Sequence, residues 1–217
     1  MAVDYEETSS QKSTRASAVH TNQNNWTYMC WTNIEDTSRG SAGQVAIGNG
    51  GNTAEHTLAQ LVNVAQAPDK WGFINDGLAW VSGNDALTSG SWQHITQTQD
   101  GTTQRMYLDG VLQTNTATST CQTPGSGFTI GGGLQTAGYS DGIIALVKCY
   151  TAALSAAQIL TEMNSFYPVF TANLVAFYPL DENTGITDVD PTQSTTTNLT
   201  HINTPAWVDG PPVSKGD

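Results

Sequence analysis

The stretch GSWQHITQTQDGTTQRMYLDGV, Gly90 to Val111, decides the fold class. Trp92, His94, Thr96 and Thr98 alternate with residues that include Ile95, which is the period of a strand with two distinct faces. Asp100-Gly101 follows, and then Gln104, Met106 and Leu108 alternate with Arg105 and Tyr107. A second pair, Asp109-Gly110, leads into Val111 to Thr116. Asp-Gly between alternating runs is a strong hairpin signal, because a type I′ turn needs positive φ at both central residues. The spacing predicts a three-stranded antiparallel meander.

Working outward, short alternating or apolar runs separated by Gly, Asn, Ser and Thr dominate the chain. They predict strands near 13–20, 26–34, 43–48, 57–65, 71–74, 78–82, 111–117, 127–131 and 142–151, besides the two inside the meander. In 26–34 both faces carry large side chains, and GIIALVKCYT at 142–151 is apolar through most of its length. Both suit central strands of a sandwich whose outer face is partly covered. The frequent turn signals favour a sandwich over βαβ units. One helix is expected near 155–165. Ser155 with Gln158 forms a capping box, Leu154 and Ile159 form the hydrophobic staple, and Pro168 follows the end.

Composition narrows the function. The 217 residues suit one sandwich domain. With 19 acidic and 7 basic residues the formal charge is −12, and the isoelectric point is about 4.4. Such a surface repels phosphate, so neither nucleic acid nor an anionic membrane is an expected partner. No run of apolar residues is long enough to span a bilayer. The opening MAVDYEETSSQKST lacks the basic and apolar regions of a Sec signal. Cys30, Cys121 and Cys149 are an odd set without zinc spacing, and Cys30 and Cys149 lie in apolar strands, where buried free thiols are expected. Synthesis in a reducing cytoplasm follows from that usage. The sequons Asn25-Trp26-Thr27 and Asn198-Leu199-Thr200 carry little weight without a secretory signal.

The meander, with its G-x-W-x-H, D-G-T and Tyr-x-D-G pieces, resembles the laminin-G-like, concanavalin A-like lectin/glucanase jelly-roll family. YSDGIIALVKCYTAALSAAQI resembles the family's Tyr-x-D-G-x-I strand and its following A-L-S helix, which extends the likeness over roughly 26–165. The resemblance implies an all-β, two-sheet antiparallel jelly-roll sandwich with one short helix. It also bears on the end of the chain. Leu174–Val213 contains LVAFYPLDE, NLT and TPAWV, pieces with which longer family members begin. That arrangement is similar to laminin-G-like modules encoded by phages and marine bacteria. The chain therefore looks circularly permuted. One domain is expected over 1–217, with 1–168 as main body and strands near 174–180 and 197–203 completing the same sandwich.

Family enzymes that cleave β-glucans carry three alternating carboxylates on one strand, where nucleophile and general acid face the cleft. Glu6-Glu7, Glu35-Asp36 and Asp188-x-Asp190 are the nearest approaches, and none lies on an apolar strand with a third acid. No catalytic role is expected. His94 is expected to be a structural strand residue, and His20, His56 and His201 are isolated in sequence. Two weak candidate sites remain. Trp71 and Trp80 flank a loop holding Asn75 and Asp76, which could stack on and hydrogen-bond a sugar, or both tryptophans could be core. Asp181, Glu182, Asp188 and Asp190 in DENTGITDVD offer oxygens to calcium, or form a solvated acidic loop. Pentraxin-like relatives place calcium acids after D-G-x-I, where this chain has Ala145 and Leu146. The first functional expectation is a non-catalytic structural or interaction module on a phage virion: a capsid decoration, tail-associated or adhesion protein. It would be made in the host cytoplasm, with virion or capsid proteins as partners. The alternative is a carbohydrate-binding lectin module, calcium-dependent or not, exported by a non-Sec route to surface glycans. A glycoside-active enzyme ranks third. A homo-oligomer is compatible with any of them.

Overall fold

The computed structural model describes residues 1–19, 24–36, 44–49, 56–61, 70–75, 81–114, 116–118, 127–133, 138–192 and 197–215. Within them the strands are β1 (Ala2–Tyr5), β2 (Lys12–Arg15), β3 (Asn25–Ile34), β4 (Gln44–Asn49), β5 (His56–Leu61), β6 (Lys70–Asn75), β7 (Val81–Ala86), β8 (Trp92–Asp100) and β9 (Thr103–Leu108). After them come β10 (Val111–Leu112), β11 (Ala117–Thr118), β12 (Phe128–Ile130), β13 (Gly142–Tyr150), α1 (Ala156–Met163), β14 (Leu174–Tyr178), β15 (Thr187–Asp188), β16 (Leu199–Ile202) and β17 (Ala206–Val208).

They form two antiparallel sheets. The first runs β10-β9-β8-β3-β13-β1-β17, with β11 also on β9 and β14 also on β13. The second runs β15-β16-β2-β12-β4-β5-β6-β7. This is the expected two-sheet jelly roll with one helix. Between the sheets lies a core that includes Trp26, Tyr28, Cys30, Trp71, Ile95, Phe128, Ile144, Val147 and Tyr178. Cys30 and Cys149 are buried free thiols whose burial pushes both pKa values well up, so neither thiolate is accessible at neutral pH. Cys121 lies outside the described residues.

Both meander turns form, with one shift. Leu108 pairs with Val111, and Asp109 and Gly110 both have positive φ, at 49° and 77°, as a type I′ turn requires. At the first turn Asp100 stays in β8, paired with both Asn25 and Thr103. The loop is therefore Gly101-Thr102, with positive φ (60°) at its first residue only. The strand runs one residue further than expected because Asp100 has partners on both sides.

The expected strand 111–117 is broken into β10 and β11. Between them Gln113 turns inward, accepting from the Asn84 and Asp85 amides at 2.7 and 3.1 Å and donating to the Asp85 carboxylate at 2.8 Å. Of the strand expected near 78–82, Val81 and Ser82 lie in β7, which runs on to Ala86, and 78–80 lie outside the described residues. Helix α1 carries its capping box, and the two staple residues, Leu154 and Ile159, are buried together with Met29, Tyr107 and Tyr150.

The C-terminal segment threads through both sheets. β14 pairs with the second half of β13, β16 with β2, and β17 with β1. A bulge between Ala145 and Lys148 in β13, with Leu146 at φ 51°, marks where the neighbour of β13 changes from β1 to β14. Gly210 sits so close to Met1 that an added Cβ would lie 2.6 Å from its carbonyl oxygen.

Candidate functional site

The sheet register sorts the side chains of the first sheet into two faces. Even-numbered residues of β3 point into the core, and Met29, Trp31 and Asn33 point outward. Helix α1 and the segment after it cover Met29, Tyr107, Lys148 and Tyr150 on that outer face. Beyond the helix the face is more open. One row across it reads Asp4, Ile143, Asn33 and Trp92, each directly opposite the next. All four are half-buried. Trp92, Trp31 and Ile143 pack against the cluster formed by Ala2, Ala145, Leu146, Phe166 and Phe177. The Trp31 indole donates to the Met163 carbonyl at 3.2 Å, which holds its ring beside the helix end.

Two acceptors on this row lack donors. Asp4 Oδ1 and Asn33 Oδ1 are both shielded and have no hydrogen-bond partner among the described residues. An acceptor left in that state costs about 1–3 kcal/mol unless something donates to it. At the Asp4 end, Asp4, Glu6 and Glu35 bring carboxylate oxygens within 4.8 Å of one another, and among the described residues no other acid, His or Cys set of three converges so closely. Asp141 adds charge to the same corner. Burial raises the Asp4 pKa, and repulsion from Glu6 and then Asp141 raises it further. Glu35 is raised by burial first and then by Asp4, Glu6 and Asp141. Such oxygens can share protons or meet a hard cation.

The protonation has a consequence for stability. A carboxyl whose folded pKa exceeds its unfolded value holds its proton more tightly when folded. The penalty is therefore present at neutral pH and fades as pH falls through the raised value. In EDTA, Asp4→Asn is expected to raise the melting temperature at about pH 7 and to change it little near pH ~3, where wild-type carboxyls are protonated. A thermal-melt series across that range checks this. A variant that melts lower than wild type at neutral pH would contradict it.

The residues singled out from sequence are placed elsewhere. Trp71 is buried in the inter-sheet core, so it offers no ring face to a sugar; it is a core residue because its strand lies inside the second sheet. Asn75 ends β6, while Asp76 and Trp80 lie outside the described residues. The four DENTGITDVD acids do not gather around one point. Asp188 is fully buried 2.5 Å from His201 Nε2, and both side chains are sealed from solvent. Asp190 accepts the Phe177 amide and the Thr192 amide and hydroxyl. Glu182 accepts the Val189 amide at 2.7 Å, and Asp181 is ion-paired with Lys215. Each acid thus has its own protein partner because the loop folds back on the strands flanking it.

His94 is buried, its pKa pushed down to about 3 by burial and then by the nearby Lys148 charge, so it stays neutral. Its hydrogen bond to the Thr96 hydroxyl and its edge contact with Trp31 fit a structural strand residue. His20 lies outside the described residues, and of His56 only its place in β5 is described. The outer-face row was not singled out from sequence. Its one signal was the alternation that puts Trp92 and His94 on a common face.

The family model of the concanavalin A-like lectin/glucanases superfamily matches residues 7–160. No curated protein matches the chain closely enough to be named as a relative. A crystal structure from Bacteroides ovatus, of a protein inferred to bind carbohydrate, superposes with a TM-score of 0.72 at 16% identity. That match covers 96% of this chain and 61% of the other, so this chain spans about three-fifths of that protein. Domain 4 of AbnA, an extracellular GH43 arabinanase from Geobacillus stearothermophilus seen with arabinotriose, matches at 17% identity and a TM-score of 0.52, covering 67% of this chain and 69% of that one. A heptameric SAP-like pentraxin from Limulus polyphemus matches at 13% identity and a TM-score of 0.55, with 73% and 77% covered. At these identities the structures speak for the fold, and the matched model, which spans well over half of the chain, speaks for the lineage. The chain belongs to the concanavalin A-like lectin/glucanase superfamily.

Proposed function

We propose that this protein is a non-catalytic carbohydrate-binding module, with its site on the open half of the first sheet's outer face. The observation that carries it is the row Asp4–Ile143–Asn33–Trp92, where two donor-less acceptor oxygens lie beside a half-buried indole. A sugar ring is matched to such a surface. Its C–H face stacks on an aromatic ring, and its hydroxyls donate to oxygens that the fold leaves unpaired. The carbohydrate association of two structural relatives supports the same class. The virion-surface role that the C-terminal segment suggested draws no support from these relatives. Hydrolysis is not proposed: Asp4, Glu6 and Glu35 sit at one rim corner, not along one strand as the family's glucanase acids do.

A glycan array followed by calorimetry on the best ligand tests this, with and without EDTA. Trp92→Ala is expected to weaken binding by about tenfold or more, as loss of a central aromatic anchor does. Loss of binding in EDTA would assign a bridging cation to the Asp4 corner; unchanged binding would make recognition metal-free. Failure to bind any glycan, or full affinity in Trp92→Ala, would refute the proposal.

A further inference from the structure

A second cavity borders that face, sharing with it the cluster that contains Phe166. It is a depression of about 200 Å³ whose lining includes Phe166, Tyr167, Pro179, Asp181, Glu182 and Lys215. Phe166 and Tyr167 follow helix α1 and meet edge to face, with ring centroids 5.0 Å apart. Pro179 to Glu182 is the turn that leaves β14. The cavity thus has aromatic rings on one side and two carboxylates on the other.

Its present occupant belongs to the chain itself. Val213 packs on the cluster that contains Phe166 and Phe177, and this anchor delivers Lys215 two residues later. The Lys215 ammonium lies 5.2 Å from the Phe166 ring centroid and is ion-paired with Asp181. The hydrogen bond that the ammonium donates to Asp181 raises its pKa, so the amine is charged at neutral pH. Half of the Lys215 side chain remains in solvent. One acceptor is not used. Glu182 Oε1 takes the Val189 amide, whereas Glu182 Oε2 is shielded and has no hydrogen-bond partner among the described residues. Two carboxylates facing one ammonium also leave the cavity with excess negative charge. A ring face beside carboxylates is the chemistry that recognises an ammonium ion.

We propose that this cavity is a binding site for a primary ammonium group on an external ligand, and that Lys215 is its tethered, displaceable occupant. The ammonium would lie over Phe166 and donate to Asp181 and to the idle oxygen of Glu182. A lysine side chain and an amino sugar both present this group. None of Asp4, Ile143, Asn33 and Trp92 lines the cavity, so ammonium binding there does not depend on carbohydrate recognition at that row.

The test is calorimetric titration of the full chain with three probes: Nα-acetyl-lysine amide, glucosamine, and N-acetylglucosamine as the uncharged control. A short tether holds its group at an effective concentration on the order of millimolar, so removing it relieves competition. Lys215→Ala is expected to tighten binding of a charged probe by about tenfold. Adding Asp181→Asn to that variant should abolish the gain. Binding of the lysine amide alone would point to a peptide source, and of glucosamine alone to a sugar source. In wild-type protein, saturating probe should also move the Lys215 side-chain NMR signals toward those of free lysine. Unchanged affinity in Lys215→Ala, binding of N-acetylglucosamine as tight as that of the charged probes, or unmoved Lys215 signals with probe bound would each overturn the proposal.

Discussion

Glu162→Ala is expected to cost about 3–5 kcal/mol of folding stability, the usual result of breaking a buried ion pair from one side. Glu162 and Lys148 meet at 2.8 Å, with side chains almost wholly sealed from solvent. The pair is fully used. Lys148 Nζ donates to the Glu162 carboxylate, to the Glu162 carbonyl at 2.8 Å and to the Ser165 carbonyl at 2.7 Å. The other Glu162 oxygen accepts the Val169 and Phe170 amides at 2.8 and 2.7 Å. One carboxylate therefore ties helix α1, the turn after it and strand β13 together.

Alanine would strand two backbone amides and leave a buried cation without its counter-charge. Burial lowers the Lys148 pKa, and Glu162 works against that lowering. Without Glu162 only the lowering remains, and Lys148 should surrender its proton at a lower pH than in wild type. The variant's deficit should then shrink as pH rises, because neutral Lys148 no longer suffers from burial of its charge. Chemical denaturation at pH values between about 6 and 9 measures both effects. Lys148→Met alone should cost less, since a flexible apolar chain fills the space, although the carboxylate is then unpaired. A loss below about 1 kcal/mol for Glu162→Ala, in the range of exposed pairs, would show that the pair is solvated in solution.

What was legible in the sequence was local. The Asp-Gly pairs mark the meander because turn chemistry is written in adjacent residues, and Ser155, Gln158, Leu154 and Ile159 mark the helix for the same reason. The one-residue shift at Asp100 came from outside that window, because Asn25 on a distant strand holds Asp100 in the sheet. The open face was illegible for a related reason. Asp4 and Glu35 lie far apart in the chain and meet only because β13 pairs with both β1 and β3. On β13 Asp4 faces Ile143, while the Glu35 amide bonds the Asp141 carbonyl, a convergence that no local pattern in the sequence announces. Conversely, the acids of DENTGITDVD are adjacent in sequence, yet strand pairing delivers His201 to Asp188 and the chain's own amides to Asp190. Proximity along the chain suggested a ligand set, while the fold had already supplied each member with a partner. Trp71 shows the limit of composition alone, since an indole in a strand has the same sequence signature in the core as at a binding face.

Truncation after Pro168 is expected to leave an insoluble or molten product. The lost segment supplies a neighbour to three strands of the remaining body: β14 to β13, β16 to β2 and β17 to β1. It also supplies Ala176, Phe177, Tyr178, Leu180 and Leu199, all fully buried. Phe177, Leu180 and Leu199 alone represent about 1.5–3 kcal/mol each of apolar burial. Set against a whole-domain stability of about 5–15 kcal/mol, that loss is decisive before Tyr178 is considered. Tyr178 adds polar damage, because its hydroxyl donates to the Thr197 carbonyl and accepts from Arg15 at 3.1 Å. The truncation takes the Tyr178 and Thr197 acceptors from the half-buried Arg15 guanidinium beside Phe128 and leaves it only the Ser17 and Ala18 carbonyls. Order along the chain matters less than presence. The close approach of Gly210 to Met1 means that a chain begun after Pro168, with its old end joined to Met1 by a short flexible link, should regain the native sheets. Circular dichroism, near-ultraviolet spectra and dye binding distinguish the two products. A 1–168 fragment that melts cooperatively at the wild-type temperature would show that the segment is an appendage, and would move the search for its role to a partner.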